Sequence, residues 1–549
     1  MRRAILVTIL SGAGLGQAPE TPLKFEVADV HVSAKATNPF MRTGPVRGGR
    51  YEIKNATMVD LIRTAYGFDA NKILGGPSWL EMDRFDVVAK VPPETTPETH
   101  KLMLQSLLAD RFQLAIRKET KPLPTYALIV GKKPQLKEAD GTEEPGCHPQ
   151  GSSGGPSNTV IKLMTDGPSG AATTIDLGAD MTIHFVCRNT TMASFAAGLR
   201  GMMGANVGEN AVLDETGLKG SWNFDVKWSM DFIGPMGAGK DKITVFDAVE
   251  KQLGLKLEQR QVPTPVLVVE KVNEKPTENP PGWEKELPPT PVPTEFEVAS
   301  VKPSDPGGRG GRMRMQPGGR FTVENMPLRP LLSRAFNTNN RDQFVNLPGW
   351  IDRDRFDINA KTSAAATMGP GMDFDMIAPM VRALLVDRFK LAYHMEDRPV
   401  EAYTLVAAKP KMKKADPSSR TSCKYADAPA GSPPGAQSFT CQNATMAQFA
   451  DRLQNMTPEL SWPVLDSTGL EGGWNFTLTY SRFPGMGGGR GGRGGDGPVE
   501  SAVPAASEPT GAFTLFEAVE KQLGLKLEMR KRTLPVIVID HLEQKPTEN

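Results

Sequence analysis

Apolar residues along the chain fall into two alternating rhythms. Tyr51-Glu-Ile53 alternates with the period of two expected of a strand, and the next stretch switches to helical spacing, with Met58, Leu61, Ile62 and Ala65 on one stripe. Thr57 precedes that stripe with Asp60 three positions on, a capping-box arrangement, and Gly67 closes it. Extended segments follow around Ile73 and over 85–89. A second helix is predicted from about Pro97 to Asp110, with Leu102, Leu104, Leu107 and Leu108 inward. Alternating Phe112, Leu114 and Ile116, with 126–130, predict a closing hairpin.

The same order then returns. His184-Phe-Val186 is a strand, and Thr191 caps a helix carrying Met192, Phe195 and Leu199. Extended residues 212–213 and 222–226 flank the turn Asp214-Glu-Thr-Gly217, where the Asp side chain is expected to hold the turn. Thr244 with Asp247 caps a last helix bearing Phe246, Val249 and Leu253. Gly254 stops it, and residues 255–257 are expected to pair with 266–269 as a second hairpin. The junctions Lys54-Asn-Ala-Thr-Met58, Arg188-Asn-Thr-Thr-Met192 and Gln442-Asn-Ala-Thr-Met446 share letters.

At larger scale the chain is one unit written twice. Ala248 to Glu258 and Ala518 to Glu528 are the same eleven letters, 270 positions apart. Lys275-Pro-Thr-Glu-Asn279 recurs at 545–549, Phe25-Glu-Val-Ala28 at 296–299, Asp83-Arg-Phe-Asp86 at 354–357, and Asp110-Arg-Phe112 at 387–389. Leu213-Asp-Glu-Thr-Gly-Leu218 matches 465–470, and Thr514 with Glu517 repeats the capping box. The expected fold is α+β, with repeat units at 22–279 and 294–549. Each unit is expected to hold two β-α-β-β-α-β-β modules, at about 22–135 and 180–279, then 294–412 and 438–549. The proline-rich stretch 280–293 should be a semi-rigid extended spacer.

Lys and Arg (64) against Asp and Glu (63) leave a net charge of +1, which excludes a global basic field for nucleic acid. The Gly-Gly-Arg triplets at 307–311 and 485–495 resemble RNA-binding tracts, but the first unit lacks these glycine-rich inserts, and they are expected to be loops. Arg2 and Arg3, the apolar residues 4–10 and Gly16-Gln17-Ala18 read as a signal peptide over 1–18, and no transmembrane segment is expected after its removal. Four cysteines permit three pairings, of which duplication favours Cys147–Cys187 and Cys423–Cys441. Each pair joins a loop cysteine to a strand-end one. His148 beside Cys147 raises a zinc reading, but no His adjoins Cys423 and no C-x-x-C spacing exists. Disulfides and leader together indicate a periplasmic or secreted protein.

Duplication also supplies a control, since an activity of both units needs its residues in both. The six histidines have no counterparts across copies, and no serine faces a serine in the aligned motifs, so no shared nucleophilic triad is expected. Gly234-Pro-Met-Gly-Ala-Gly-Lys240 approximates a phosphate loop, but Asp241 stands where a Ser or Thr is required. Carboxylates common to both copies, Asp83 and Asp214 among them, leave a hydrolase as the enzymatic alternative; a spacer or assembly component is the structural one. Asp-Arg-Phe at a helix end reads as a local ion pair beside a buried Phe. No catalytic, cofactor or metal residue is expected. The residues proposed for a binding surface are Trp79, Arg84, Trp350 and Arg355.

Phe-Glu-Val-Ala, Gly-Gly-Arg-Tyr, Gly75-Gly-Pro-Ser-Trp-Leu80, Asp-Arg-Phe-Asp and the terminal Lys-Pro-Thr-Glu-Asn resemble the soil-associated bacterial domain of unknown function, in two tandem copies. The second copy departs at Gly75-Gly76, which becomes Asn346-Leu347. That resemblance implies no activity and no site residue. The half ending in Gln-Leu-Gly-Leu-Lys-Leu is distantly similar to the short N-terminal domain of secretins and TonB-dependent receptors, which implies a periplasmic module that binds partners. The function expected is therefore a non-enzymatic envelope protein recognising a protein, peptide or glycan.

Overall fold

The computed structural model describes residues 23–547 except 35–39, 94, 132, 151–159, 165–171, 177–181, 204–210, 230–242, 289–292, 306–310, 317–318, 339, 363–373, 428–431, 433–435, 455, 458 and 482–512. The leader, most of the glycine-rich runs and Gly234–Lys240 thus lie outside the described residues.

Unit 1 opens with β1 (Val27–Val32), β2 (Arg42–Thr43), β3 (Arg50–Thr57), α1 (Met58–Tyr66), β4 (Ile73–Gly75), β5 (Arg84–Lys90), α2 (Pro97–Phe112) and β6 (Ala115–Val130). Its second half is β7 (Lys137–Glu138), β8 (Gly146–Gln150), the small β9 (Val160–Met164) and β10 (Ala172–Asp176), then β11 (Thr182–Thr190), α3 (Met192–Met203), β12 (Val212–Asp214), β13 (Trp222–Ser229), α4 (Val245–Leu253) and β14 (Leu255–Lys271). A single turn, α5 (Trp283–Glu286), lies between units. Unit 2 repeats the plan as β15 (Val298–Pro303), β16 (Arg312–Gln316), β17 (Arg320–Pro327), α6 (Leu328–Ala335), β18 (Phe344–Val345), β19 (Arg355–Lys361), α7 (Phe374–Phe389) and β20 (Ala392–Ala407). It ends with β21 (Lys413–Lys414), β22 (Ser422–Asp427), β23 (Ala436–Ala444), α8 (Met446–Leu453), β24 (Leu465–Asp466), β25 (Trp474–Ser481), α9 (Leu515–Ala518) and β26 (Leu525–His541).

The fold is α+β, twice over. In four antiparallel sheets the strand orders correspond: β1-β5-β3-β2, β7-β13-β11-β8, β15-β19-β17-β16 and β21-β25-β23-β22. The helix ends follow the local chemistry read from sequence. Thr57 and Asp60 form a reciprocal capping box, as do Thr514 and Glu517, and the Thr244 side chain accepts from the Asp247 N–H. Gly254 and Gly524 stop their helices in the left-handed region, where a Cβ would strike the carbonyls of Lys133 and Lys409, so only glycine fits.

The two predicted hairpins do not form. Each pair of short segments is one unbroken strand, and β6 pairs antiparallel with β14 along its whole length, Val130 opposite Leu255 at one end and Ala115 opposite Lys271 at the other. The resulting ribbon is about 50 Å long at ~3.4 Å per residue. β4 adds in parallel to β14 at one end, and β12 adds in parallel to β6 at the other. The prolines that read as turn signals, Pro122, Pro124, Pro263 and Pro265, fall on one alternating set of paired positions, where the missing N–H faces away from the partner strand. Unit 2 builds the same ribbon from β20 and β26.

Each half therefore lends a strand to the other. The first-half core (Ile53, Leu61, Ile62, Phe85, Phe112) contains Leu267 and Val269 from β14, while the second-half core contains Leu128 from β6. Ile537, Ile539 and Leu405 take the same places in unit 2. Leu102, expected inward, is instead exposed, because the buried stripe of α2 runs through Met103, Leu104, Leu107 and Leu108. The spacer is also not simply extended: Gly282 adopts φ 79°, α5 follows, and Leu287 is buried. The strand exchange makes a specific prediction. Leu267→Ala should destabilise the unit by about 2–5 kcal/mol and raise amide exchange in α1 and α2, more than 150 residues upstream. Effects confined to the second half would contradict the exchanged strand.

Candidate functional site

Arg84 and Arg355 stand at the junction where a strand enters a helix. At four equivalent points the strand residue two positions before the helix cap is an asparagine with positive φ: Asn55 (56°), Asn189 (43°), Asn325 (47°) and Asn443 (49°). Each lies in a bulge, and its N–H donates over 2.8 Å to a side-chain oxygen on the neighbouring strand, from Asp86, Asn223, Asp357 and Asn475 respectively. Sequence reading found three of these junctions. The fourth, at Asn325, was hidden because Pro327 replaces the capping threonine.

This bulge accounts for Asp-Arg-Phe-Asp. Arg84 Nη1 donates to the Asn55 carbonyl over 2.7 Å, and Arg355 Nη1 to the Asn325 carbonyl over 2.8 Å. Phe85 and Phe356 are core, packed edge-on against Phe112 and Phe389. Asp357 also accepts from Ser304 Oγ at 2.7 Å, and with the Asn325 N–H these bonds hold its carboxyl below the usual range. Trp79 meets the edge of Phe85 at 6.1 Å and is half-buried, as is Trp350.

The Trp79 loop is also where the units meet. Arg420 of unit 2 pairs with Glu81 at 3.0 Å and donates to the Ile73 carbonyl at 2.7 Å, while the Thr421 N–H donates to the Ser78 carbonyl. Burial, with Arg452 across this contact, lowers the Arg84 pKa against the pull of Asp60. On unit 2 the position of Glu81 is Asp352, which Arg329 grips with two bonds of 2.6 Å. Arg84 thus lies near this contact and Trp79 on the loop that makes it, both half-buried, whereas Arg355 is exposed.

Asp-Arg-Phe at the end of α2 is a clamp and, in unit 1, not a local ion pair. Arg111 is buried, and its guanidinium donates to the Thr277 carbonyl and hydroxyl, to Asn279 Oδ1 at 2.6 Å, and to the Ala28 carbonyl at 3.3 Å. Asn279 Oδ1 in turn accepts the Val30 N–H at 2.9 Å. The repeated Lys-Pro-Thr-Glu-Asn segment is therefore the plug of edge strand β1, taking hydrogen-bonding groups that would otherwise recruit another strand. Asp110 turns outward to Lys24. In unit 2 Arg388 reaches the Ala299 carbonyl on β15 and also pairs with Asp387; Asn549 lies outside the described residues.

Asp214 accepts from the Thr216 N–H and hydroxyl at 2.9 and 2.7 Å, and Asp466 does the same for Thr468. These carboxylates are turn braces. Burial, then the neighbouring Glu274, raises the Asp83 pKa, but its counterpart Asp354 faces Gln544 Nε2, so the acid pair is not common to the units.

Both disulfides form as duplication indicated, Cys147–Cys187 and Cys423–Cys441. The first cysteine of each pair lies on an edge strand and not in a loop. Cys147 stands directly opposite Cys187 on β11, and Cys423 opposite Cys441 on β23, with Cα separations of 4.0 and 4.1 Å. Such closeness marks pairs that exchange no backbone hydrogen bonds. The outermost strand is riveted to its sheet, each bond contributing about 3–4 kcal/mol on a loop-entropy account.

Among the described residues no group of three His, Cys, Asp or Glu is placed to hold a metal, and no helix is long and apolar enough to cross a membrane. What the recurring residues define is a duplicated α+β scaffold whose shared letters brace bulges, plug edges and hold turns. The chain belongs to the family described as protein of unknown function DUF3738, whose model matches residues 59–272 and again 329–542. No curated protein and no solved structure matches the chain.

Two measurements follow from this geometry. Arg111→Met should cost about 2–4 kcal/mol, since it leaves buried acceptors unpaired, with amide exchange rising first in β1; an unchanged β1 would contradict the plug. His394 on the ribbon contacts Asp540 at 2.9 Å and Glu396 at 3.7 Å, and the Asp540 hydrogen bond raises its pKa. Its stabilising contribution should be full below the ordinary histidine range and fade as pH climbs through the raised value. An NMR titration of His394 should fall back toward ordinary behaviour in Asp540→Asn.

Proposed function

We propose that this chain is an exported, non-enzymatic binding protein of the cell envelope that takes a partner's strand on the edge of β22. The observation that carries the reading is the unequal treatment of edges. Strand β1 is plugged by Arg111 and Asn279, and Arg388 occupies a carbonyl of β15. Because Cys423 and Cys441 form a non-hydrogen-bonded pair, the backbone groups of Cys423 and Tyr425 point away from β23, toward the open side. On β8 of unit 1 the position equivalent to Tyr425 is Pro149, which has no N–H to offer. β22 has no proline over Ser422–Asp427, exposes Tyr425 beyond the point where the Thr421 N–H is taken by Ser78, and is pinned by its disulfide so that an incoming strand would add to it and not displace it.

Two disulfides support an oxidising compartment, periplasmic or extracellular. Resemblance to the partner-binding N-terminal module of secretins and TonB-dependent receptors supports the same role. In affinity capture from an envelope extract, the intact chain should retain a partner that Tyr425→Pro loses at least tenfold. Tyr425→Ala, which keeps the outward N–H, should retain most of it. Equal capture by Tyr425→Pro would overturn the edge, and four free thiols in natively exported material would overturn the compartment.

A further inference from the structure

Alternation along the strands gives each sheet an inner and an outer side. In unit 1, Phe85, Val87 and Ala89 of β5 enter the core, so Val88 and Lys90 face outward, as do Arg50 and Glu52 of β3. The inter-unit segment lies on this outer side. Lys90 Nζ pairs with Glu286 at 2.8 Å, and also with Glu26, while Arg50 Nη1 donates to the Pro288 carbonyl at 3.0 Å. Leu287, between those two gripped residues, is 3% exposed, and Val88 on the strand face is 6% exposed. The sheet thus holds a short peptide, Trp-Glu-Lys-Glu-Leu-Pro, by one acid, one carbonyl and one leucine.

The residues that grip the peptide are present again in unit 2. Arg50 stands opposite Lys90 in the β3–β5 pairing, and Arg320 stands opposite Lys361 in the β17–β19 pairing. Glu26 corresponds to Glu297, whose N–H bonds the Lys361 carbonyl as the Glu26 N–H bonds that of Lys90. On unit 2, however, Arg320, Lys361 and Ser300 are exposed, and Val298 is 66% exposed. On this face Asn359 replaces Val88, Thr322 replaces Glu52 and Ser300 replaces Asp29, while the two cations are kept, and Asn359 Oδ1 accepts from Arg320 Nε at 2.8 Å, orienting the guanidinium.

We propose that the outer face of the β15-β19-β17-β16 sheet is a second binding surface, which takes an acidic, leucine-containing, proline-flanked segment of a partner protein. Lys361 receives its carboxylate, Arg320 its backbone carbonyl, and Val298 lies against its leucine. The occupant is inferred from its counterpart on unit 1, where the chain's own segment with that chemistry meets the same two cations. This rests on the reading of the chain as a binding protein, but on a surface separate from β22.

The probe is a fluorescein-labelled peptide of residues 280–290, titrated against the full chain by anisotropy. Saturable binding is expected, weakened at least tenfold by Lys361→Glu or Arg320→Glu. A peptide carrying Glu286→Lys should bind poorly to the native chain and recover on Lys361→Glu. Tyr425→Pro should leave the titration unchanged, so a failure here leaves strand addition at β22 standing. The surface is overturned by absence of saturable binding, by indifference to both unit 2 substitutions, or by loss on Lys90→Glu alone, which would mean exchange with the segment on unit 1. Sedimentation should find a monomer at the concentrations used. A dimer dissolved by Lys361→Glu would give the face to a second copy's own segment and overturn a separate partner.

Discussion

Strands β6 and β14 come from different halves of a unit, more than a hundred residues apart, yet pair over their full length and supply each half with apolar side chains it lacks. Neither half can bury its core alone, because Leu267 and Val269 arrive from downstream and Leu128 from upstream. This constraint explains the level at which the chain repeats. Two copies of the whole unit are recognisable letter by letter, while the halves share little beyond element order, since only the interlocked pair is a self-sufficient folding block. It also implies slow assembly, for the loop-closure entropy of so distant a pairing is lost before its contacts form.

Local chemistry was legible in the sequence wherever one residue type has one structural use. The threonine caps, the left-handed glycines after α4 and α9, and the cysteine pairing by duplication could all be read directly. The ribbon was not, because prolines at 122, 124, 263 and 265 punctuate it as they would punctuate turns. Only the knowledge that those positions face an unpaired side makes them compatible with a continuous strand. Pro327 misled in the opposite way, concealing a fourth asparagine bulge by standing where its sisters have threonine.

The site residues divide along the same line. Asp214 as a turn brace could be anticipated, since Asp-x-Thr-Gly is a local device. Arg111 could not, because its acceptors lie at Ala28 and Thr277, at opposite ends of the unit. Trp79 and Arg84 recur in both units, but Arg84 recurs because it braces the bulge, and the loop that carries Trp79 is met by Arg420 in one unit only. Duplication identifies what the scaffold needs; the functional asymmetries appear where the copies differ, as Pro149 differs from Tyr425 and Val88 from Asn359.

The Arg111 clamp has a mechanical side. By gripping Ala28 and Thr277 with one guanidinium, it brings the entrance and exit of a unit together at a single buried point. A chain built this way can be lengthened like beads on a thread, each bead added without reshaping its neighbour. Tension along the thread would run from Ala28 to Thr277 through that guanidinium and bypass the ribbon, so a tug on the ends would unfasten a clasp while leaving the bead intact.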